Sequence, residues 1–343
     1  MRIGRREIGV GQAPYVIAEI GVNHDGLVSR ALELTDAAAE AGADAVKLQY
    51  FETDRLMSRA AKLAAYQKAA GETDPVAMLR RLELPLDEMA LVVDRAHERG
   101  LHAIVTVFSV ELVEPAAELA WDAFKSASPD VVNRPLLEAL AGTGRPMIVS
   151  TGASTLEEVV RARGWLEGVK DRLAFLQCVS SYPAPEAGLE AMGTIGERTG
   201  AVVGYSDHTE RVETGREAAA AGAALLERHI THDERASGPD HAASLNPVRF
   251  AAYVGMLPGV VGEPLRGGAK RVLECERDVR EVSRQSVVTT RALAAGDVLL
   301  RADLTIKRPG TGIEPWRIGE VVGRRATRAV EADVPVMEDD LEG

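Results

Sequence analysis

Two histidines occupy matching places in neighbouring segments of this sequence. His208 follows the run AVVGYS after Asp207, and His229 lies in the run LLERHI, shortly after Glu227. Imidazole nitrogens suit Mn, Fe, Co or Zn better than Mg or Ca, and two protein ligands leave positions open for water and substrate. The pair therefore predicts a divalent metal site, without an HExxH or CxxC motif to support it. The alternative is that each histidine is an ordinary core or surface side chain.

Two lysines lie inside apolar runs, where a charged side chain is costly unless it is paired or faces a ligand. Lys47 is in DAVKLQY and Lys125 is in WDAFKS. One interpretation is an internal salt bridge, for example between Lys47 and Glu19. The other is an anion site, supported by hydroxyls near the ends of other apolar runs, at Ser128, Ser150, Ser180 and Ser206. Two lysines with several serines would suit a phosphate and a carboxylate together.

Two carboxylates and one further cation complete the candidate chemistry. Glu19 lies near the end of the run YVIAEI, and Asp130 follows the run that holds Lys125. Both are candidates for general acid–base catalysis, and each is equally interpretable as the partner of a lysine. Near the C-terminus, the segment KRPG places a further cation, Arg308.

The elements that must position these residues alternate along the chain. Short runs rich in Val, Ile and Ala are predicted strands, at 15–20, 44–50, 101–107, 121–126, 146–150, 173–178, 201–206 and 225–230. Amphipathic segments between them are predicted helices, such as 29–41, 87–99, 156–166 and 212–221. Eight strands with helical crossovers is the count of a (β/α)8 TIM barrel, whose active sites lie at the C-terminal ends of the strands. An open doubly wound sheet is the alternative, but no GxGxxG motif follows the first strand.

After residue 262, the alternation of apolar runs and amphipathic segments gives way to a charged segment. We expect a catalytic barrel over 1–262, a charged segment with a helix over 263–282 (the linker) and a small β-rich domain over 283–343 (the cap). A domain of roughly 60 residues has a marginal core. We therefore expect the cap to dock against something larger.

Composition narrows the class of protein further. The 343 residues include 40 Lys and Arg against 52 Asp and Glu, a net charge of −12, which argues against nucleic-acid binding and against docking on anionic lipid. Two cysteines, Cys178 and Cys275, cannot form a disulfide framework and are expected to be reduced thiols of a cytoplasmic protein. The N-terminal residues lack the apolar region of a signal peptide, and no apolar run is long enough to span a membrane.

Seven motifs together carry a resemblance to a known family. They are IAEIGVNHDG (17–26), AGADAVKLQ (41–49), STGASTLEEV (150–159), YPAP (182–185), GYSDHT (204–209), GPDHAASL (238–245) and KRPGTGI (307–313). In this order they resemble the N-acetylneuraminate (sialic acid) synthase family, which makes sialic acid and other nonulosonic acids. The resemblance covers the chain from about residue 15 to about residue 340.

The resemblance implies a phosphoenolpyruvate (PEP)-dependent synthase, a transferase of class EC 2.5.1, with a TIM barrel followed by an antifreeze-like (SAF) domain. It implies a domain-swapped homodimer in which each cap covers the partner's barrel. In the implied reaction, C3 of PEP attacks the open-chain aldehyde of an N-acylated aminosugar such as N-acetylmannosamine. Water then adds at C2, and the intermediate loses phosphate by C–O cleavage to give N-acetylneuraminate or another nonulosonic acid.

The resemblance also implies roles for individual residues. His208 and His229 match the ligands of a divalent ion that polarises the aldehyde, Mn²⁺ first, with Mg²⁺ or Co²⁺ as alternatives. Glu19 and Asp130 match carboxylates that act on water or on the intermediate, and we place both lysines beside them among the catalytic residues. The PEP-binding positions are Lys47, Lys125, Ser128, Ser150, Ser180 and Ser206. The sugar-binding positions are Gln49, Tyr182, Glu227, Asp240 and, from the cap, Arg308.

The sequence departs from the family pattern near the predicted acceptor. Ser128–Asp130 reads Ser-Pro-Asp instead of Ser-Gly-Glu, Ser180 stands where Asn also occurs, and the Asn expected after Tyr66–Lys68 is missing. We therefore expect the PEP site and the metal to be retained and leave open a different sugar or aldehyde acceptor. More distant alternatives are an aldolase or lyase on the same barrel and a sugar-acid-binding protein with a degenerate site.

Overall fold

Eight parallel strands form a closed barrel in the computed structural model, which describes residues 1–342. The strands β1–β8 are Tyr15–Gly21, Ala45–Tyr50, His102–Val107, Ala123–Ser126, Met147–Ser150, Leu173–Cys178, Val202–Asp207 and Leu225–His229. Each pairs with the next in parallel, and β8 pairs with β1 to close the barrel. The predicted strands and the (β/α)8 architecture are confirmed, and the open-sheet alternative is wrong.

A helix follows each strand on the outside of the barrel. These helices, α1–α8, are Val28–Glu40, Leu86–Glu98, Val113–Ala117, Arg134–Gly142, Leu156–Trp165, Ala191–Thr199, Thr214–Ala220 and Pro247–Gly255. Several are followed by a glycine with φ between 63° and 97°, as at Gly42, Gly100, Gly200 and Gly222. This left-handed conformation ends a helix and disfavours a residue with a Cβ.

Side chains along each barrel strand alternate between the barrel interior and the layer of helices. Interior positions near the N-terminal ends are apolar and form one buried cluster that includes Ile17, Ile104, Ile148 and Leu225. Two residues later, the same strands carry buried polar side chains: Glu19, Thr106, Ser150 and Glu227. The lower part of the barrel is therefore a packed apolar core, and its C-terminal mouth is buried but polar.

Additional elements cover both ends of the barrel. A hairpin of Arg2–Ile3 with Arg6–Glu7 packs through Ile3 on the apolar lower cluster. Three short helices that the sequence did not predict fill the loop between β2 and α2: Thr53–Leu56, Ala65–Ala69 and Pro75–Arg80.

No helix within residues 1–342 is both long and apolar enough to cross a membrane.

The C-terminal part is a small domain with its own core, as predicted. Helix α9 (Arg277–Ser283) ends the linker, and the cap pairs β9 (Ser286–Thr289) with β10 (Leu304–Lys307) antiparallel. The cap also contains the short helix α10 (Ile318–Val321). A separate hydrophobic cluster, formed only by cap residues, holds this domain together.

The cap lies over the mouth of the barrel of the same chain. The Arg308 backbone N–H donates to the Leu56 carbonyl at 2.8 Å, and the Ser58 hydroxyl donates to the Arg308 carbonyl at 2.6 Å. The cap therefore docks against a larger domain, as expected. The resemblance implied that it covers the partner's barrel; in this single chain it covers its own. An exchange of caps between two protomers stays a prediction.

Candidate active site

A cavity of about 130 Å³ lies at the C-terminal mouth of the barrel. Almost all the predicted site residues line it: Glu19, Lys47, Gln49, Lys125, Ser128, Ser150, Ser180, Tyr182, Ser206, His208, Glu227, His229, Asp240 and Arg308. Asp130 is the exception, because it is buried beyond the lining residues Ser128 and Pro129. The barrel and the cap thus bring together side chains that are far apart in sequence.

Lysines and glutamates pair inside the cavity. Lys47 Nζ lies 2.6 Å from Glu19 Oε2 and donates to Thr106 Oγ1 at 2.7 Å, while Lys125 Nζ lies 3.5 Å from Glu227 Oε1. Each lysine is therefore paired, as the salt-bridge interpretation predicted, and each also lines the cavity; the anion site stays a prediction. Burial raises the pKa of Glu19 although Lys47 opposes it. Burial would also raise the pKa of Glu227, but the two lysines lower it. Of the two carboxyls, Glu19 more readily holds a proton.

Three serines surround an open space beside these pairs. Ser128 Oγ donates to Ser150 Oγ and accepts from the Gly152 backbone N–H, both at 3.0 Å. A Cβ on Gly152 would lie 2.1 Å from Ser180 Oγ and 2.9 Å from Ser128 Oγ. Any other residue would clash with these hydroxyls, so glycine lets them lie close to the backbone of this loop. Several hydroxyl donors around one space suit the oxygens of a phosphate.

The two histidines lie side by side, with ring centroids 5.5 Å apart. His208 Nδ1 is 2.8 Å from the Val179 carbonyl, an acceptor for a proton on Nδ1. The ring nitrogen that would bind a metal is therefore Nε2, which lies 3.4 Å from Ser206 Oγ. His229 Nδ1 is buried and finds no hydrogen-bond partner within residues 1–342. Burial lowers the pKa of His229 well below its ordinary value. Its imidazole is therefore neutral and can act as a ligand.

These imidazoles fit a divalent ion that accepts nitrogen ligands. The described part of the chain contains no group of three or more His, Cys, Asp or Glu side chains able to hold a metal. The chain would thus supply two nitrogens, His208 and His229, and leave the other positions to water and substrate. The predicted metal stays a prediction.

Arg308 brings a cation from the cap into the cavity. Its guanidinium carbon is 5.6 Å from the centroid of the Phe108 ring, a distance at which cation and ring attract each other. Its Nε is buried and has no hydrogen-bond partner among the described residues. A donor in this state is available to a polar group of a ligand.

Asp130 is a buried carboxyl with a pKa near neutral pH. Burial raises the pKa of Asp130 to about 7, although Arg308 and the Ala127 N–H oppose the shift. A carboxyl with a pKa near the working pH can hold or release a proton during catalysis. Its predicted catalytic role stays a prediction, since it does not line the cavity.

Replacing Asp130 by asparagine is expected to stabilise the protein above neutral pH. The pKa of Asp130 rises from 3.8 to about 7 on folding, so the folded state binds this proton more tightly than the unfolded state. The wild-type free energy of unfolding therefore falls as pH rises from about 4 to about 7, by at most about 4 kcal/mol from this group. Urea unfolding of Asp130→Asn and wild type across this range measures the difference. A gap that does not grow with pH would contradict the buried acid.

Other lining residues were not predicted. An apolar part of the lining consists of Val22, Phe51, Leu56, Met78, Leu79 and Phe108. Phe51 and Phe108 directly follow β2 and β3, so the rule that sites lie at strand ends could have found them. Met78 comes from one of the short inserted helices, which have too few residues for a readable periodicity.

Comparison with known proteins finds one family match for the barrel and another for the cap. A family model described as the NeuB family matches residues 34–259, and a model of the SAF domain matches residues 284–342. The first match covers most of the barrel and the second covers the cap.

Relatives match over nearly the whole length. The N,N'-diacetyllegionaminic acid synthase of Legionella pneumophila is 33% identical over 99% of this chain and 98% of its own. The human N-acetylneuraminate-9-phosphate synthase is 33% identical over 96% of this chain and 93% of its own. The crystal structure of the spore coat polysaccharide biosynthesis protein SpsE from Bacillus subtilis superposes with a TM-score of 0.83. It is 28% identical and covers 100% of this chain and 99% of its own.

Proposed function

Since this chain belongs to the NeuB family, we propose that it is an enzyme that condenses PEP with the open-chain aldehyde of an N-acylated aminosugar. The product is a nonulosonic acid, and the by-product is inorganic phosphate. The observation that carries the proposal is the joint lining of one cavity by Lys47, Lys125, the serines around Gly152, and the two histidines. Relatives in sugar-acid biosynthesis support the same reaction class.

PEP would bind between the lysines and the serines. The hydroxyls of Ser128, Ser150 and Ser180 present donors to the phosphate, while Lys47 and Lys125 offset the charge of the anion. A phosphate that leaves by C–O cleavage carries negative charge away from C2, and these same donors stabilise it as the bond breaks.

The acceptor would bind between the histidines and the cap. The Tyr182 ring lies 4.2 Å from the His208 ring and 4.9 Å from the Tyr66 ring, and Arg308 reaches the same cavity. When bound to His208 and His229, a divalent ion such as Mn²⁺ supplies Lewis-acid polarisation of the aldehyde. The aromatic rings and Arg308 would orient the sugar so that its aldehyde faces C3 of PEP.

Glu19 is the carboxyl best placed to handle a proton. It contacts Lys47 and accepts from Gln49 Nε2 at 2.7 Å, so its position in the cavity is defined. Because burial raises its pKa, it can take a proton from the water that adds at C2. Asp130 is the second carboxyl proposed for this proton transfer.

Phosphate release over a panel of N-acyl aminosugars tests the proposed function. The protein is incubated with PEP and each sugar, with Mn²⁺ and with a chelator. We expect release that requires both an aminosugar and the metal. PEP binding without phosphate release from any sugar would indicate the alternative, a sugar-acid-binding protein with a degenerate site.

The acceptor is expected to be unphosphorylated. The cavity lining has as many cationic side chains as carboxylates, so their charges balance before any substrate binds. The cations are Lys47, Lys125 and Arg308, and the carboxylates are Glu19, Glu227 and Asp240. PEP, with a phosphate and a carboxylate, adds more negative charge than the proposed divalent ion would offset. A second phosphate beside the apolar lining would therefore be buried without a matching cation. The human relative is a synthase of a 9-phosphate, and the Legionella relative is a synthase of an acid named without phosphate. Both are 33% identical to this chain, so sequence identity does not decide whether its acceptor is phosphorylated.

The test compares an aminosugar with its 6-phosphate at constant PEP. We expect kcat/KM for the phosphorylated sugar to be lower by about tenfold or more, because a buried phosphate without a cation costs binding free energy. Equal or higher kcat/KM for the 6-phosphate would contradict the charge argument.

We also propose that the enzyme is a dimer in which the caps exchange between protomers. A hinge within residues 263–269 would carry Lys270 and everything after it to the partner's barrel. The contacts described for Arg308 would then form between chains instead of within one. Sedimentation gives the oligomeric state. With cysteines at positions 58 and 308, a disulfide between two chains would indicate exchanged caps, and a disulfide within one chain would indicate a closed monomer.

A further inference from the structure

The linker reaches the serines of the cavity through one buried carboxylate. Glu276 Oε1 accepts from the backbone N–H of Ser180 at 2.8 Å and from that of Ala153 at 2.7 Å. Its second oxygen accepts from the Leu273 N–H at 2.9 Å. The Glu276 side chain is 1% exposed and does not belong to the cavity lining.

The two N–H groups that Glu276 binds belong to the loops that carry the phosphate-binding groups. Ser180 presents its own hydroxyl to the cavity, and Ala153 follows Gly152, whose N–H donates to Ser128. Ala153 also has a φ of 49°, a conformation that L-residues rarely adopt without support. Glu276 thus fixes the loops after β5 and β6 relative to each other.

Further ion pairs hold the same part of the linker and the start of the cap against these loops. Arg280 Nη2 donates to Glu158 Oε1 at 2.7 Å, and Arg284 Nη1 donates to the same oxygen at 2.9 Å. Both arginines also donate to the Ala153 carbonyl. Lys270 is buried nearby, where burial lowers its pKa and the charge of Glu276 opposes that shift. From Lys270 onward, the linker is therefore bonded to the barrel by a buried charged network.

We propose that Glu276 is a positioning residue for PEP: it acts through Ser180 and Ala153 to hold the serine hydroxyls in the arrangement that binds the phosphate. The inference rests on the proposed function for the identity of the anion. It assigns the linker, which joins barrel and cap, a part in the first substrate's site. Without the carboxylate, two buried N–H groups lose their acceptor and the loops must rearrange to satisfy them.

Calorimetric titration with PEP, in the absence of any sugar, tests the role of Glu276 directly. We expect Glu276→Ala to weaken PEP binding by about tenfold or more, as loss of a supporting hydrogen-bond partner does at other ligand sites. Glu276→Asp keeps the charge but is one methylene shorter, so it is expected to weaken PEP binding as well. Glu276→Gln keeps an oxygen for the Ser180 and Ala153 N–H groups, but its amide NH₂ would face the Leu273 N–H. Its PEP affinity is therefore expected to lie between those of wild type and Glu276→Ala.

A matched control comes from the same turn of the linker. Glu274 is exposed and pairs only with Arg277 at the surface, at 3.0 Å. Glu274→Ala removes a carboxylate two positions away and is expected to leave PEP binding unchanged. Thermal unfolding of each variant separates a loss of positioning from a loss of folded protein.

The outcomes distinguish failure of this inference from failure of the proposed function. If wild type does not bind PEP at all, the proposed function is wrong. If wild type binds PEP and both Glu276→Ala and Glu276→Asp bind within about twofold of it, the positioning role is wrong. Equal weakening of PEP and of the aminosugar would also contradict it, because a general structural defect affects both substrates.

Discussion

Replacement of His208 by alanine is expected to lower phosphate release on the order of a hundredfold or more, with every acceptor. Lewis-acid polarisation of a carbonyl supplies several kcal/mol of transition-state stabilisation, and each 1.4 kcal/mol corresponds to about tenfold in rate. His208 would bind the ion through Nε2, because Nδ1 contacts the Val179 carbonyl, and the neighbouring His229 alone would hold the ion weakly. Titration with Mn²⁺ should show a matching loss of affinity, which is a readout independent of turnover.

A histidine outside the cavity provides the control. His97 pairs with Asp122 on the outer surface, with Nε2 2.9 Å from Oδ2, and His97→Ala is expected to leave Mn²⁺ binding and turnover unchanged. Wild-type activity of His208→Ala, or undiminished activity of the wild type in metal-free buffer, would remove the metal from the account.

Loss of Arg308 is expected to reduce kcat/KM for the aminosugar by about tenfold to a hundredfold, with a smaller effect on PEP binding. The guanidinium enters the cavity from the cap, and its buried Nε has no partner within residues 1–342. A buried donor without a partner costs the fold free energy, which offsets the loss of the Phe108 contact, so Arg308→Ala should unfold close to the wild-type temperature. Steady-state kinetics with each substrate varied in turn separates the two effects.

The exposed Arg301 of the cap, which donates to the Leu304 carbonyl at 2.8 Å, is the matched control. Arg301→Ala should retain wild-type kinetics. If Arg308→Ala also retains wild-type kcat/KM for the sugar, the cap does not contribute to acceptor binding, and its position over the barrel mouth has another purpose.

Sequence reasoning located the mouth of the barrel because the strand pattern changes there. Ile17 and Glu19 are both interior residues of β1, one in the apolar core and one in the cavity. The same change from apolar to polar is visible in the sequence of most of the other barrel strands, so strand ends could be read directly as site residues.

Other features left no local signal. The sequence allowed Lys47 to be either an ion-pair partner or an anion ligand, and the structure shows that it is paired with Glu19 while facing the cavity. Glu276 was not predicted because its partners are backbone N–H groups 96 and 123 residues away, and any residue other than proline carries such a group. Asp130 was a predicted acid–base candidate, but its raised pKa could not be predicted, because it depends on burial that only the packed fold defines.

The most direct test of the account is the fate of the bridging oxygen of PEP. The protein is incubated with Mn²⁺, an N-acyl aminosugar and PEP labelled with ¹⁸O between C2 and phosphorus, and both products are analysed by mass spectrometry. Condensation with C–O cleavage predicts phosphate that carries the label, formed in equal amount with a nonulosonic acid that does not. Label in the organic product, or phosphate release that does not depend on the sugar, would contradict the proposed reaction.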